Sequence, residues 1–271
     1  MTPGATDGEA RVGGSDPSVP ADPDPIRRLL PESGAVDVAA LLAGLGLADR
    51  APDHRPYTIA NFVASADGRA SVQGQSRGLG SEGDRRIFRG LRGIADALLV
   101  GTGTLSAEHY GRVIKDADVR RQRERRGLAP EPALCTVTRT GTLPDGIPLL
   151  DEPDARMIVF SGGPVALEGT RAHVEVVRLH PEALTLTAVA EDLRVRHGVR
   201  LLLCEGGPTL LHGLLDERII DELFLTVSPL LAAGDGPDIT SGPALPEPLR
   251  LALQWALAQD DALFLRYAVA D

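Results

Sequence analysis

The sequence has only two cysteines, Cys135 and Cys204, in 271 residues. That number cannot build a disulfide framework or a cysteine-rich zinc site. Both lie inside apolar runs, where a buried, reduced thiol is expected. Aromatic side chains are scarce at 3%, so Leu, Val, Ile and Ala must fill the core. Positive charge is in deficit: 28 Lys and Arg against 38 Asp and Glu leave a net charge of −10. A general nucleic-acid binder would show the opposite balance. No apolar run approaches the about 18–20 residues of a membrane span. The opening residues have neither a basic start nor an apolar h-region, so no signal peptide is expected. The expectation is a cytoplasmic protein with no nucleic-acid or membrane partner.

What is present is an ordinary globular balance, 43% hydrophobic and 24% charged. Residues 1–24 carry four Gly, four Pro and five acids against one Arg. Such a segment has too little apolar surface to offset the entropy of ordering. It reads as a disordered tail, with a docking arm as the alternative, and residues 25–271 as a single domain. Val36, Leu41, Leu42 and Leu45 predict a short helix closed by Gly46. Tyr57–Val63 reads as a strand that runs into Ser65-Ala66-Asp67-Gly68. Ser81, with Asp84 at the third helical position, predicts a carboxylate variant of the capping box before Ile87, Phe88, Leu91 and Ile94. Short strands are predicted at 97–100, 132–138, 157–160, 174–178 and 199–204, and helices at 185–197 and from Thr209 through Leu215. Two or three terminal strands are expected, at 221–231, 249–258 and 262–269. Strands alternating with helices predict a mostly parallel sheet, and the terminal run predicts antiparallel additions at one edge.

Two strand–glycine–helix junctions stand out: Leu98-Leu99-Val100-Gly101-Thr102-Gly103-Thr104 and Leu203-Cys204-Glu205-Gly206-Gly207-Pro208-Thr209. Glycine allows a tight turn and a close ligand, and the next helix offers free N–H groups to an anion. Open α/β sheets bind ligands beyond the carboxyl ends of their strands, which puts both junctions on one rim. The first is not a dinucleotide fingerprint, because Ser106 replaces its last glycine and Asp118 does not end an apolar strand. Neither junction continues into a Walker Gly-Lys-Ser/Thr. His180-Pro181-Glu182 lacks the Pro-Cys-x-x-Cys of a zinc deaminase, and the six His show no ligand spacing, so no metal is expected. Asp67 and Glu205 each end a strand at the rim. Desolvation there would raise a carboxyl pKa, suiting a proton donor or a grip on a ring N–H, with a cap on a neighbouring amide as the alternative. Arg139, between Thr138 and Thr140, could hold a nucleotide 2′-phosphate, with a solvated loop arginine as the alternative. The arginine run at 120–126 lacks interleaved aromatics and reads as a solvated helix or mobile loop.

Taken in order, several of these segments resemble the reductase domain of bifunctional riboflavin-biosynthesis proteins, which has a dihydrofolate-reductase-like fold. They are Asn61-Phe62-Val63-Ala64-Ser65-Ala66-Asp67-Gly68, Gly74-Gln75-Ser76, Ala95 through Thr104, Glu205 through Leu210, and Asp221-Glu222-Leu223 with Pro229-Leu230-Leu231. The resemblance spans about residues 55–268 and implies an α/β fold, mostly parallel, with antiparallel C-terminal strands and flanking helices. It implies a small-molecule substrate: reduction of the ribosylamino group of 5-amino-6-(5-phosphoribosylamino)uracil by NADPH, with hydride delivered to ribose C1 of an imine tautomer. By position, Ala64, Gly78, Gly101, Thr104, Arg139 and the turn Gly206, Gly207, Pro208, Thr209 and Leu210 would line NADPH. Asn61, Ser76, Arg92 and Glu205 would contact substrate, and Asp67 would sit beside the reacting end. A homodimer is implied. Three features depart from the family. The deaminase half is missing, Gly78 stands where a Trp is common, and Glu108 through Lys115 replaces an Asp-Asp-Pro-x-Leu-x-x-Arg stretch that helps hold the ribose phosphate. Arg112 or Lys115 would take over that task. A reductase of a pteridine such as dihydrofolate and a non-catalytic nucleotide-binding paralogue are the alternative readings.

Overall fold

The computed structural model describes residues 25–72, 76 and 78–270. The expected tail lies outside them, as do Gly74 and Gln75. From the N-terminus come strands β1 (Arg27–Leu30) and β2 (Gly34–Ala35), then helix α1 (Val38–Ala43). Next are β3 (Tyr57–Ser65), α2 (Glu82–Ile94), β4 (Ala97–Val100), α3 (Thr102–Glu108) and α4 (Ala117–Arg125). They are followed by β5 (Ala133–Thr138), β6 (Arg156–Ser161), β7 (His173–Arg178), α5 (Leu186–Val195), β8 (Leu201–Gly206) and α6 (Pro208–Asp216). The chain closes with β9 (Glu222–Ser228), β10 (Arg250–Gln259) and β11 (Ala262–Ala270).

These strands join one sheet in the order β2-β1-β10-β11-β9-β3-β8-β4-β5-β6-β7. From β9 to β7 all pairings are parallel, whereas β11, β10, β1 and β2 are added antiparallel. The central strands β4 and β8 are apolar at almost every position because helices cover both faces. Ile59, Leu98, Leu134, Val159 and Leu203 pack under α1 to α4. Ala60, Leu99, Cys135, Ile158 and Leu202 pack under α5 and α6. Both cysteines are fully buried and free, and burial pushes their thiols up to about 12.

The sequence expectations need correction in four places. β1 and β2 were not foreseen. The first helix is α1, capped by Asp37 and ended at Gly44, and Gly46 instead opens a short 3-10 turn at Leu47–Arg50. β9 belongs to the parallel part, paired with β3, so only β10 and β11 of the terminal strands are antiparallel. The arginine run is helix α4, and Arg123 within it is not solvated. It is 1% exposed and donates to the carbonyls of Arg92, Ala95 and Ala129. No helix among the described residues is long and apolar enough to cross a membrane.

Candidate active site

Parallel pairing sets the two glycine junctions side by side. Val100 is in register with Gly206, and the Gly101 N–H donates to the Gly206 carbonyl at 2.9 Å. Gly206 holds φ +121°, a conformation open to glycine but strained for other residues. The Thr104 hydroxyl accepts the Gly207 N–H at 3.0 Å, which ties α3 to the second turn. Helices α1, α2, α4 and α5 begin under side-chain caps from Asp37, Ser81, Asp116 and Thr185. The helices at the two junctions have none, since Gly101 and Gly207 occupy the cap positions. Pro208 has no N–H and the Gly207 N–H goes to Thr104, so the Thr209 and Leu210 amides at the start of α6 are the ones an anion can satisfy.

On the α2 side of that rim lies a polar cluster around Glu205. Strand alternation places Glu205 on the face of Leu201 and Leu203. Arg92 grips its carboxylate with two bonds of 2.6 Å, and the Tyr110 hydroxyl adds a third at 2.8 Å. Arg92 also donates to the Val113 carbonyl, and its guanidinium lies 4.1 Å from the Phe88 ring centre. A guanidinium has five N–H donors, so two remain. The Glu205 side chain is 1% exposed and Arg92 15%. Glu205 is thus covered by its partners, and Arg92 is the more exposed member of the pair. Burial disfavours the Arg92 cation, but Glu205 outweighs it and holds the pKa above the ordinary value. Burial, then Glu205, raises Tyr110 well above the ordinary phenol.

The other expected residues have these surroundings. Asn61 is nearly buried on the same face, and its side-chain amide bonds to no described residue. Ala64 is buried on β3, and Gly78 is exposed. The Ser76 hydroxyl donates to Glu108 at 2.8 Å. Arg139 is exposed at the end of β5 and free of partners among the described residues. The Thr138 and Thr140 hydroxyls engage the turn at Gly141 and Thr142 instead.

Two expectations change. The Asp67 carboxylate is exposed, and it accepts from the Ala232 and Ala233 amides and from the Ser65 hydroxyl. Those bonds, Ala232 first, drive its pKa below the ordinary carboxylate range. It is an ionised tie between the β3 turn and the loop after β9, and not a desolvated proton donor. Arg112 is held by Glu131 at 2.5 Å and Glu152 at 2.8 Å. It braces the 108–114 stretch, and its charge is already matched. Sequence reasoning missed Tyr110 altogether, since nothing local links it to Glu205, 95 residues on.

A mostly parallel sheet, two abutting glycine turns with an uncapped helix start, and a buried Glu–Arg pair together form the strand-end rim of an α/β enzyme-type fold. The chain matches the RibD C-terminal domain model over residues 56–263 and belongs to that family. It is 32% identical over 193 residues, 69% of this chain and 87% of the relative, to an Archaeoglobus fulgidus protein named 2,5-diamino-6-ribosylamino-4(3H)-pyrimidinone 5′-phosphate reductase. The riboflavin biosynthesis protein RibD of Mycobacterium tuberculosis is 29% identical over 66% of this chain, which spans 44% of that protein. A pyrimidine reductase-like protein from Corynebacterium diphtheriae has the same fold, with TM-score 0.70 and 22% identity over 87% of this chain and all of that one.

Proposed function

We propose that the protein is an NADPH-dependent reductase of a pyrimidine ribosylamino phosphate in riboflavin biosynthesis. The observation that carries this reading is the Glu205–Arg92–Tyr110 cluster beside the paired glycine turns. The reductase names of the relatives support it. NADPH, when bound, supplies the hydride. The open amides of α6 and the turn from Gly206 to Leu210 would hold its diphosphate, with Gly101, Thr104, Ala64 and Gly78 alongside. Arg139, free of partners among the described residues, would take the 2′-phosphate.

This chain's own groups do the positioning. Glu205 fixes the Arg92 plane, so the two remaining N–H groups of Arg92 point at a substrate oxygen without reorganising. Asn61 and Ser76 offer further polar contacts. Asp67 stays ionised and secures the loop at 230–233, closing one side of the cleft. A homodimer is part of the reading. Residues Arg250 to Leu253 of β10 pair with β11 on one side and with no described strand on the other, and Leu251 and Leu253 are exposed there.

The test is NADPH oxidation with the pyrimidine ribosylamino phosphate and, in parallel, with dihydrofolate, alongside sedimentation for the dimer. Turnover of the pyrimidine, lowered by about 10²-fold or more in Glu205→Gln with NADPH binding intact, is expected. Turnover of dihydrofolate alone would overturn the reading.

A further inference from the structure

Asp84 is the one carboxyl group on the cleft side of α2 that the proposed reaction leaves without a task. Ser81 caps the helix as expected, accepting the Asp84 N–H at 3.1 Å. The second half of a capping box is missing, because the Asp84 side chain does not reach back. Its Oδ1 instead accepts from the Thr226 hydroxyl at 2.7 Å, across 142 residues, at the carboxyl end of β9. Thr226 is 2% exposed and in register with Val63 of β3, so the carboxyl group is held against the strand ends. Oδ2 receives no hydrogen bond from any described residue. Gly80 leaves space for that oxygen, since a Cβ there would lie 2.8 Å from it. Burial raises the Asp84 pKa, which marks a carboxylate short of donors. A helix cap alone would not require this desolvation, and an exposed acid would serve as well.

Asp84, Phe88 and Arg92 follow one another at intervals of four, on one stripe of α2. Their ends are about 12 Å apart along the axis, and the Arg92 guanidinium leans back over the Phe88 ring. The stripe therefore offers, in sequence, two acceptor oxygens, an apolar ring and a cation. A flat heteroaromatic base with donors on one edge and an anionic or hydroxylated substituent on the other matches that order.

We propose that Asp84 reads the edge of the substrate's pyrimidine ring and selects a 2-amino-4-oxo ring over uracil; this rests on the pyrimidine reductase reading above. A 2-aminopyrimidin-4(3H)-one presents two neighbouring donors, N3–H and the 2-amino group, which a carboxylate accepts side by side. Uracil presents one N–H between two carbonyl oxygens, and each carbonyl opposes a carboxylate oxygen. Thr226 occupies one lone pair of Oδ1 and leaves the other for the ring, while Oδ2 takes the second donor. An amide at position 84 would reverse the match, since it pairs one acceptor and one donor with the N–H and carbonyl of uracil.

The experiment compares wild type, Asp84→Asn and Thr226→Val on two substrates with NADPH: 2,5-diamino-6-ribosylamino-4(3H)-pyrimidinone 5′-phosphate and 5-amino-6-(5-phosphoribosylamino)uracil. Wild type is expected to favour the first in kcat/KM by about tenfold or more, and Asp84→Asn to favour the second. Thr226→Val should narrow the preference without changing the melting temperature. Calorimetric binding of the ring fragments 2,5,6-triaminopyrimidin-4-one and 5,6-diaminouracil gives the same comparison without turnover. Equal losses on both substrates in Asp84→Asn, or wild-type fragment binding that does not discriminate, overturns the assignment. Discriminating fragments with neither substrate turned over leaves Asp84 in place and removes the reductase reading.

Discussion

Three carboxylates stand along the rim, and their neighbours give them three different tasks. Asp67 is supplied with amide and hydroxyl donors and stays ionised. Glu205 is enclosed by a guanidinium and a phenol. Asp84 has one hydroxyl donor, and its second oxygen receives no hydrogen bond from the other described residues. The sequence identifies Glu205 well, because an acid between an apolar strand and a Gly-Gly turn is out of place anywhere but a rim. It does not separate the three, because the character of each rests on partners between 95 and 166 residues away. Arg139 was legible because it directly follows an apolar strand, whereas Ser76 entered only through the family resemblance. The free state of Arg139 leads to a test of its own. Arg139→Ala should weaken NADPH binding by about tenfold or more and leave NADH nearly unchanged, as read by cofactor fluorescence titration. Equal losses for the two cofactors would remove the 2′-phosphate assignment.

At the level of elements, the buried strands were the easiest to read. Ala97 to Val100 is a continuous apolar run, and Ala133 to Thr138 is broken only by Thr136 and Thr138, because both faces of a parallel sheet are covered. β1 and β2 escaped because four and two residues carry no usable period, and Arg27 and Arg28 disguise the first. Helix α4 shows a harder failure. Its charge run is typical of a solvated face, yet Arg123 turns inward and satisfies the carbonyls at the end of α2 and the entry to β4. Burial lowers its pKa to about 10, still well above neutrality, so it remains a cation there. Arg123→Met keeps the volume and removes three hydrogen bonds. The expected loss is about 2–4 kcal/mol of unfolding free energy in urea titration. An unchanged midpoint would mean water replaces the guanidinium without cost.

On the scale of the whole molecule, the sequence conveyed the layered α/β plan but not the order of strands. β9 reads like its antiparallel followers because alternation cannot report strand direction, and only its pairing with β3 shows it. The N-terminal hairpin has a consequence for how this sheet ends. β1 covers Ala256 to Ala258 of β10, while Ile26, Val38, Leu42 and Leu47 insert beneath and are 1–4% exposed. A chain begun at Pro56 would retain every proposed ligand-binding residue and still lose this seal. Burying each of those side chains contributes about 1.5–3 kcal/mol, and the bare backbone of β10 would offer a template for run-on pairing between molecules. Such a shortened chain should scatter light and sediment as polydisperse assemblies, whereas a single sharp species of native activity would show the hairpin to be dispensable. The segment from Ile26 to Leu47 thus acts as a built-in stop to sheet growth, guarding against polymerisation from a place remote from the glycine turns.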